Sequence, residues 1–191
     1  NLTTPTDYTP DGVGKAVKCE TKFVSLFGIG KLGSGSIFTG DYVRTDGTNG
    51  VLAFGRSWNL HPTKLRGYFQ YSAANIDYAS SEFEKLKGVP DTCHIYVALT
   101  DWSTPYEIRT NPKNRQLFNK NADFIIAYGE MQFSGKMDKC QEFEITLNYR
   151  NTFAIPSFLQ ITCSASKYGD YFTGGSGSIL YVDRFSLDYD Y

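Results

Sequence analysis

Apolar and polar residues alternate with a period of two along most of the chain, which is the signature of strands with one buried face. The longest run is the C-terminal one. Ile179, Tyr181, Asp183, Phe185, Leu187 and Tyr189 share one parity, and Leu180, Val182, Arg184, Ser186, Asp188 and Asp190 share the other. The first parity is apolar except for Asp183, which predicts an inward carboxylate in need of backbone N–H groups, an arginine or a cation. Lys15–Val24 alternates as cleanly, with Val17, Cys19, Thr21 and Phe23 opposite Lys18, Glu20 and Lys22. Further strands are predicted at Ser36–Val43, Val51–Trp58, Leu65–Tyr71, Cys93–Thr100, Phe124–Phe133, Glu142–Tyr149 and Phe158–Ala165. Asp46-Gly-Thr-Asn-Gly is a turn between two of them. Helix is confined to a turn or two at 80–87, with Ser81 as a cap, and a short segment at Pro112–Asn121. About nine or ten short strands at this spacing predict an all-β, antiparallel jelly-roll β-sandwich, one domain over 13–191 behind a lead-in at 1–12.

Gly28-Ile-Gly-Lys-Leu-Gly has the spacing of a phosphate-binding loop, but no βαβ unit surrounds it, so turn and bulge glycines are the reading. The composition agrees with strands and turns: 18 Gly, 14 Tyr and 14 Phe in 191 residues. A chain of this length buries about 70% of its unfolded surface, enough for a core without staples. Cys19, Cys93, Cys140 and Cys163 lie far apart in apolar-alternating segments, which favours buried thiols and leaves one or two disulfides open. Nineteen Lys and Arg nearly cancel twenty Asp and Glu with no basic block, so nothing points to nucleic acid. No apolar run is long enough to span a membrane, and the polar start reads as a trimmed mature terminus.

Six separated segments together resemble the putative carbohydrate metabolism domain found in surface and periplasmic proteins of polysaccharide-degrading Gram-negative gut bacteria. They are residues 30–40 (GKLGSGSIFTG), 54–58 (FGRSW), 61–71 (HPTKLRGYFQY), 91–102 (DTCHIYVALTDW), 127–130 (AYGE) and 167–183 (KYGDYFTGGSGSILYVD). His61 stands where that family usually has arginine, which makes position 61 a poor candidate for a required role. The resemblance implies a jelly roll, export to the periplasm or outer-membrane surface, and a link to glycans. Tyr181-Val-Asp-Arg-Phe is also similar to the last strand of several carbohydrate-binding modules, where an equivalent Asp helps hold a structural calcium. For this chain that implies Asp183 with a strand acid such as Glu20 as oxygen ligands for calcium, no other cofactor being expected.

Sugar rings present apolar CH faces, and flat aromatic side chains with polar neighbours suit them. Trp102 and Tyr106 with Asp101 and Arg109 occupy one loop, and Tyr168 and Tyr171 with Asp170 occupy another. The expectation is that the two loops leave their strands in one direction and converge, with Trp102 and Tyr168 or Tyr171 making the floor of a shallow groove. The chain then reads as a non-catalytic module that binds oligo- or polysaccharide, alongside other domains or surface proteins. The alternatives are a glycoside hydrolase with facing carboxyls drawn from Asp101, Glu107, Asp123, Glu130 and Asp170, and a cell-surface adhesion or assembly module. No nucleophile elbow, zinc-protease or phosphate-loop motif is present, and two histidines give little material for a metal site or triad.

Overall fold

The computed structural model describes residues 1–26 and 29–190 of the chain. Four antiparallel sheets make up the fold. A five-stranded sheet has the spatial order β1 (Thr3–Thr6), β2 (Ala16–Glu20), β16 (Ile179–Asp188), β9 (Lys64–Ser72) and β13 (Gln141–Thr146). A six-stranded sheet runs β14 (Asn148–Tyr149), β12 (Ile125–Ser134), β10 (Thr92–Thr100), β15 (Phe158–Ser164) and β5 (Ser36–Phe38), with β8 (Arg56–Ser57) also paired to β15. β6 (Gly40–Asp46), β7 (Asn49–Phe54) and β11 (Tyr106–Arg109) form a third sheet, and β3 (Lys22–Leu26) with β4 (Ile29–Gly33) a fourth.

The two large sheets pack face to face because each turns one parity of apolar side chains inward. β9 contributes Leu65, Phe69 and Tyr71, β16 contributes Leu180 and Val182, and β10 contributes Cys93, Ile95, Val97 and Leu99, all in one core cluster. The cysteines are free thiols: Cys19, Cys93 and Cys163 are buried in this core and Cys140 is half-buried. Burial pushes Cys19 up to about 11 and Cys93 up to about 12, so both stay protonated and inert.

Several predicted strands break where the chain changes sheet. Lys15–Val24 is two strands, β2 and β3, with a corner at Thr21, and Phe23 is exposed rather than inward. Glu142–Tyr149 likewise divides between the two large sheets. Ser81–Leu86 is a single 3-10 segment capped by the backbone of Ser80 without a side-chain bond. Pro112–Asn121 forms no helix. In the glycine motif, Gly28 lies outside the described residues, and Gly30 and Gly33 belong to β4, with the strand β5 following instead of a helix.

The terminal strand departs most from its pattern. Leu180 and Val182, not Ile179 and Tyr181, face the core. Pairing with β9 then slips, so that Asp183–Ser186 spans three steps opposite the two of Tyr68–Arg66. The extra residue is a β-bulge at Arg184, whose φ of +54° is one that side-chain-bearing residues rarely adopt. Beyond it the parity is reversed, and Phe185 and Leu187 pack against the core. Gly67 makes this fit, since a Cβ there would lie 2.6 Å from Phe185 and 2.8 Å from Phe143.

One buried carboxylate ties the connections together. Asp91, 1% exposed, accepts hydrogen bonds on Oδ2 from Ser166 Oγ (2.5 Å), the Gly175 N–H (2.8 Å) and Ser178 Oγ (3.0 Å). Its Oδ1 accepts the Thr92 N–H at 2.7 Å. Ser166 Oγ in turn meets Thr21 Oγ1 at 2.6 Å, which brings in the β2–β3 corner. A Cβ at Gly175 would lie 2.7 Å from two backbone carbonyl oxygens, so the close approach needs glycine. Burial pushes the Asp91 pKa up, and these donors only partly offset it.

Asp91→Ala takes the acceptor away from two hydroxyls and two amide N–H groups, and the expected loss is about 3 kcal/mol of unfolding free energy in urea titrations. A loss under about 1 kcal/mol would mean that the connections are held elsewhere.

Candidate functional site

Facing away from the core, the six-stranded sheet carries its other parity. Register fixes two cross-strand rows: Gln132, His94, Ser164 and Ser36, then Glu130, Tyr96, Thr162 and Phe38. Walls rise around this floor from the β11–β12 connection, with Leu117, Phe118 and Lys120, and from the segment after β15, with Lys167, Tyr168, Asp170 and Tyr171. The result is a cleft of two adjoining compartments, about 350 Å³ and about 110 Å³. His94, Tyr96, Lys167 and Asp170 line both.

Glu130 is the electrostatic centre of the floor. Oε2 accepts from His94 Nε2 (2.8 Å), Tyr128 Oη (2.9 Å) and Gln132 Nε2 (3.4 Å), and Oε1 accepts from Lys120 Nζ. Burial alone would raise this carboxyl, but the bonds from Lys120, Tyr128 and His94 outweigh it and bring the pKa down to about 2. An ionised carboxylate only accepts, so His94 carries its proton on Nε2. Burial lowers the His94 pKa, although Glu130 pulls the other way, so the ring is held towards its neutral form. Asp170 behaves oppositely: it is solvent-accessible but ringed by protein, which pushes its pKa up against the pull of Arg115.

The segment 167–174 owes its position to Asp91. Ser166 and Gly175 flank it, and both bond the same Asp91 oxygen, so the cleft wall is clamped at its two ends. Phe83, from the 3-10 segment, packs against Tyr168 at 4.4 Å and Tyr171 at 5.0 Å from outside.

Of the residues singled out in the sequence, Tyr168, Tyr171 and Asp170 meet in this cleft. The other group does not. β10 and β15 are antiparallel, so the connections that follow them leave at opposite ends and cannot converge. Trp102 is only 7% exposed and sits in a second core cluster with Phe54, Ile108 and Phe158. Its ring backs Phe118 (6.3 Å), and Phe118 stacks on Tyr96 (5.0 Å), so Trp102 supports a wall instead of forming a floor. Tyr106 stacks on Trp102 at 5.1 Å from within β11. Arg109 bonds Gln116 Oε1 at 2.6 Å, and Asp101 is exposed beyond β10.

Asp183 and Glu20 are also kept apart. Glu20 pairs with Ile179, four residues before Asp183 along β16, which separates them by roughly 13 Å. Glu20 is matched to Lys18 (2.7 Å) and Lys22 (3.0 Å), and Asp183 accepts the Arg184 N–H at 2.9 Å. The two do not form a shared ligand pair: four residues along β16 separate them, and Asp183 shares the outward parity of Ile179 and Tyr181 because Leu180 and Val182 take the core face. Among the described residues, no group of three or more His, Cys, Asp and Glu side chains is placed to hold a metal ion.

The sequence matches the family described as "Putative carbohydrate metabolism domain" over residues 2–188. The chain belongs to this family. Among solved structures it is similar to a putative glycoside hydrolase from Bacteroides vulgatus ATCC 8482, at 20% identity and a TM-score of 0.74, covering 98% of this chain and 77% of that one. A putative glycoside hydrolase from Bacteroides thetaiotaomicron VPI-5482 gives the same identity and TM-score, covering 100% of this chain but 57% of that one. This domain thus spans little more than half of the second protein. At such identity the likeness establishes a shared fold. Among curated proteins none matches the sequence. No helix of the described residues is long and apolar enough to cross a membrane.

His94, Tyr96, Tyr128, Lys120 and Lys167 were not singled out in the sequence, and Glu130 only as one acid among five. Their signal is parity: each strand residue among them alternates with the apolar positions of β10 or β12. Parity alone does not say that the two strands are neighbours.

Two substitutions test these assignments. Trp102→Ala is expected to cost about 3–5 kcal/mol of stability, as an emptied aromatic core site does, measured by chemical unfolding. Glu130 has a folded pKa below the ordinary glutamate value of about 4.3, so its stabilisation is present above that value and fades as the pH falls towards 2. Glu130→Gln should therefore flatten the acid limb of the stability–pH curve between about pH 5 and pH 2. Parallel curves for the two proteins would show that the network does not hold Glu130 ionised.

Proposed function

We propose that this domain is a non-catalytic glycan-binding module of an exported surface or periplasmic protein, and that a saccharide chain lies across the outer face of the six-stranded sheet. The observation that carries this reading is the cleft itself: an open trough floored by alternating polar and aromatic side chains, in a domain of a carbohydrate-related family. Its groups suit hydroxyl recognition. Gln132, Ser164 and Thr162 present both donors and acceptors on the floor. Few such contacts support a weak affinity, in the range of about 1 mM to about 1 μM.

Affinity electrophoresis against a panel of plant and host polysaccharides tests the reading. Gln132→Ala, at the cleft floor, is expected to weaken retention by about tenfold. Glu142→Gln, which faces out from the opposite sheet, should leave it unchanged. Equal losses in both variants, or no retention of any polysaccharide by the unaltered domain, would overturn the assignment.

A hydrolytic reading is favoured by one feature, the opposite displacement of two carboxyls that line the same compartment: Glu130 down, Asp170 up. Against it, both Glu130 oxygens already accept hydrogen bonds, from Lys120 on Oε1 and from His94, Tyr128 and Gln132 on Oε2, and a carboxylate held ionised this firmly is a poor proton donor or acceptor near neutral pH. Release of reducing ends from a polysaccharide by the domain, lost in Glu130→Gln, would replace binding with catalysis.

A further inference from the structure

The rings that border the cleft are already engaged. Lys167 Nζ lies over Tyr168 at 5.1 Å from the ring centre, the Arg115 guanidinium over Tyr171 at 4.6 Å, and Lys120 Nζ over Tyr128 at 5.5 Å. Phe83 packs on Tyr168 and Tyr171 as well. Three of the four cation–π pairs in the described residues therefore surround one cleft, and the Tyr168 and Tyr171 faces have little room left for a sugar ring. These tyrosines act as seats that hold cations, and it is the cations that a ligand meets.

The charges do not balance. Lys120 is spent on Glu130. Lys167 forms a hydrogen bond only to the neutral Gln132 Oε1, at 2.9 Å, and no carboxylate lies within ion-pair distance of it or of Arg115 among the described residues. The buried Nε of Arg115 has no hydrogen-bond partner there either. The charges that line the cleft are Lys120 and Lys167 with Glu130 and Asp170, and Arg115 adds a cation at its border, over the Tyr171 ring; with Lys120 paired to Glu130, Lys167 and Arg115 stand against Asp170 alone. The upward displacement of Asp170 reduces its counter-charge as the pH falls.

A guanidinium on one aromatic face and an ammonium on a second ring, both rings packed on Phe83, are donors that a planar or tetrahedral oxyanion takes, in shorter and stronger bonds than neutral pairs give. We infer that the glycan this cleft takes is anionic, with carboxylate or sulfate groups held by Lys167 and Arg115. The inference rests on the glycan-binding reading above and narrows it to a substrate class.

Titration calorimetry of the whole domain with four polymers tests it: polygalacturonate, its carboxyl-reduced neutral counterpart, chondroitin sulfate, and desulfated chondroitin. At least one polyanion should bind about tenfold or more tightly than the neutral polymer, and its affinity should fall as NaCl rises from about 50 mM to about 500 mM. Binding of polygalacturonate or desulfated chondroitin identifies the carboxylate, and binding of chondroitin sulfate alone identifies the sulfate. Lys167→Gln and Arg115→Gln should each lose about tenfold towards that polyanion, while Arg115→Lys, which keeps the charge but not the flat fork, loses less than Arg115→Gln. A neutral polymer bound as tightly as the polyanions, without salt dependence, overturns the inference and leaves glycan binding standing. No binding to any of the four overturns both. The salt dependence and the neutral comparison need no variant, so a misfolded substitution does not remove the test.

Discussion

Asp91 is a carboxylate placed where water cannot reach it, and both the end of the sandwich and the cleft wall depend on how it is satisfied. Four donors surround it, two of them from the ends of the segment that carries Lys167, Tyr168, Asp170 and Tyr171. Losing any one donor leaves a buried carboxyl oxygen short of a bond. Bonding both ends of a glycine-rich connection to one oxygen restricts it at a place where its backbone alone would allow many conformations. The same oxygen reaches the β2–β3 corner through Ser166 and Thr21, so the turn that sends the chain out of the five-stranded sheet is fixed by the group that fixes the wall.

Around the cleft, burial and pairing act on different groups to different ends. Glu130 is surrounded by donors and stays ionised; Asp170 has, among the described residues, no hydrogen-bond donor to match, and is displaced the other way. The aromatic residues do a third job. Phe83 stiffens Tyr168 and Tyr171 from behind, and Trp102 stiffens Phe118, so that the cations and polar groups in front are carried on rings with few alternative rotamers. Fixed charges lose less entropy on meeting a ligand than charges on free stems, which is how a shallow cleft can discriminate at modest affinity.

The β-bulge at Arg184 is the reason that the most regular strand pattern in the sequence is not the face pattern of the folded strand. Its parity predicted Asp183 pointing inward among aromatic side chains, with a cation as one solution. The extra residue inverts the parity halfway along: Leu180 and Val182 before it and Phe185 and Leu187 after it all reach the core, and Asp183 is left on the outer face. One positive φ, compatible with the space at Gly67, decides this. Nothing in the spacing of residues marks a bulge at an arginine, since glycine or asparagine is the usual sign.

The sequence by itself determined the class of fold and most strand centres, because period-two alternation is a local property that burial of one face imposes on every strand. It determined that the thiols suit a core, and that Tyr168, Asp170 and Tyr171 sit in a connection able to carry a site. Only the tertiary structure decided which strands are neighbours and which way they run. The antiparallel pairing of β10 with β15 sends the Trp102 loop to the far end, where its ring is worth more as packing than as a platform. That pairing and the one between β10 and β12 set His94, Tyr96, Glu130 and Thr162 side by side from three strands. Register between distant strands comes from the fit of whole faces, and no single segment contains it.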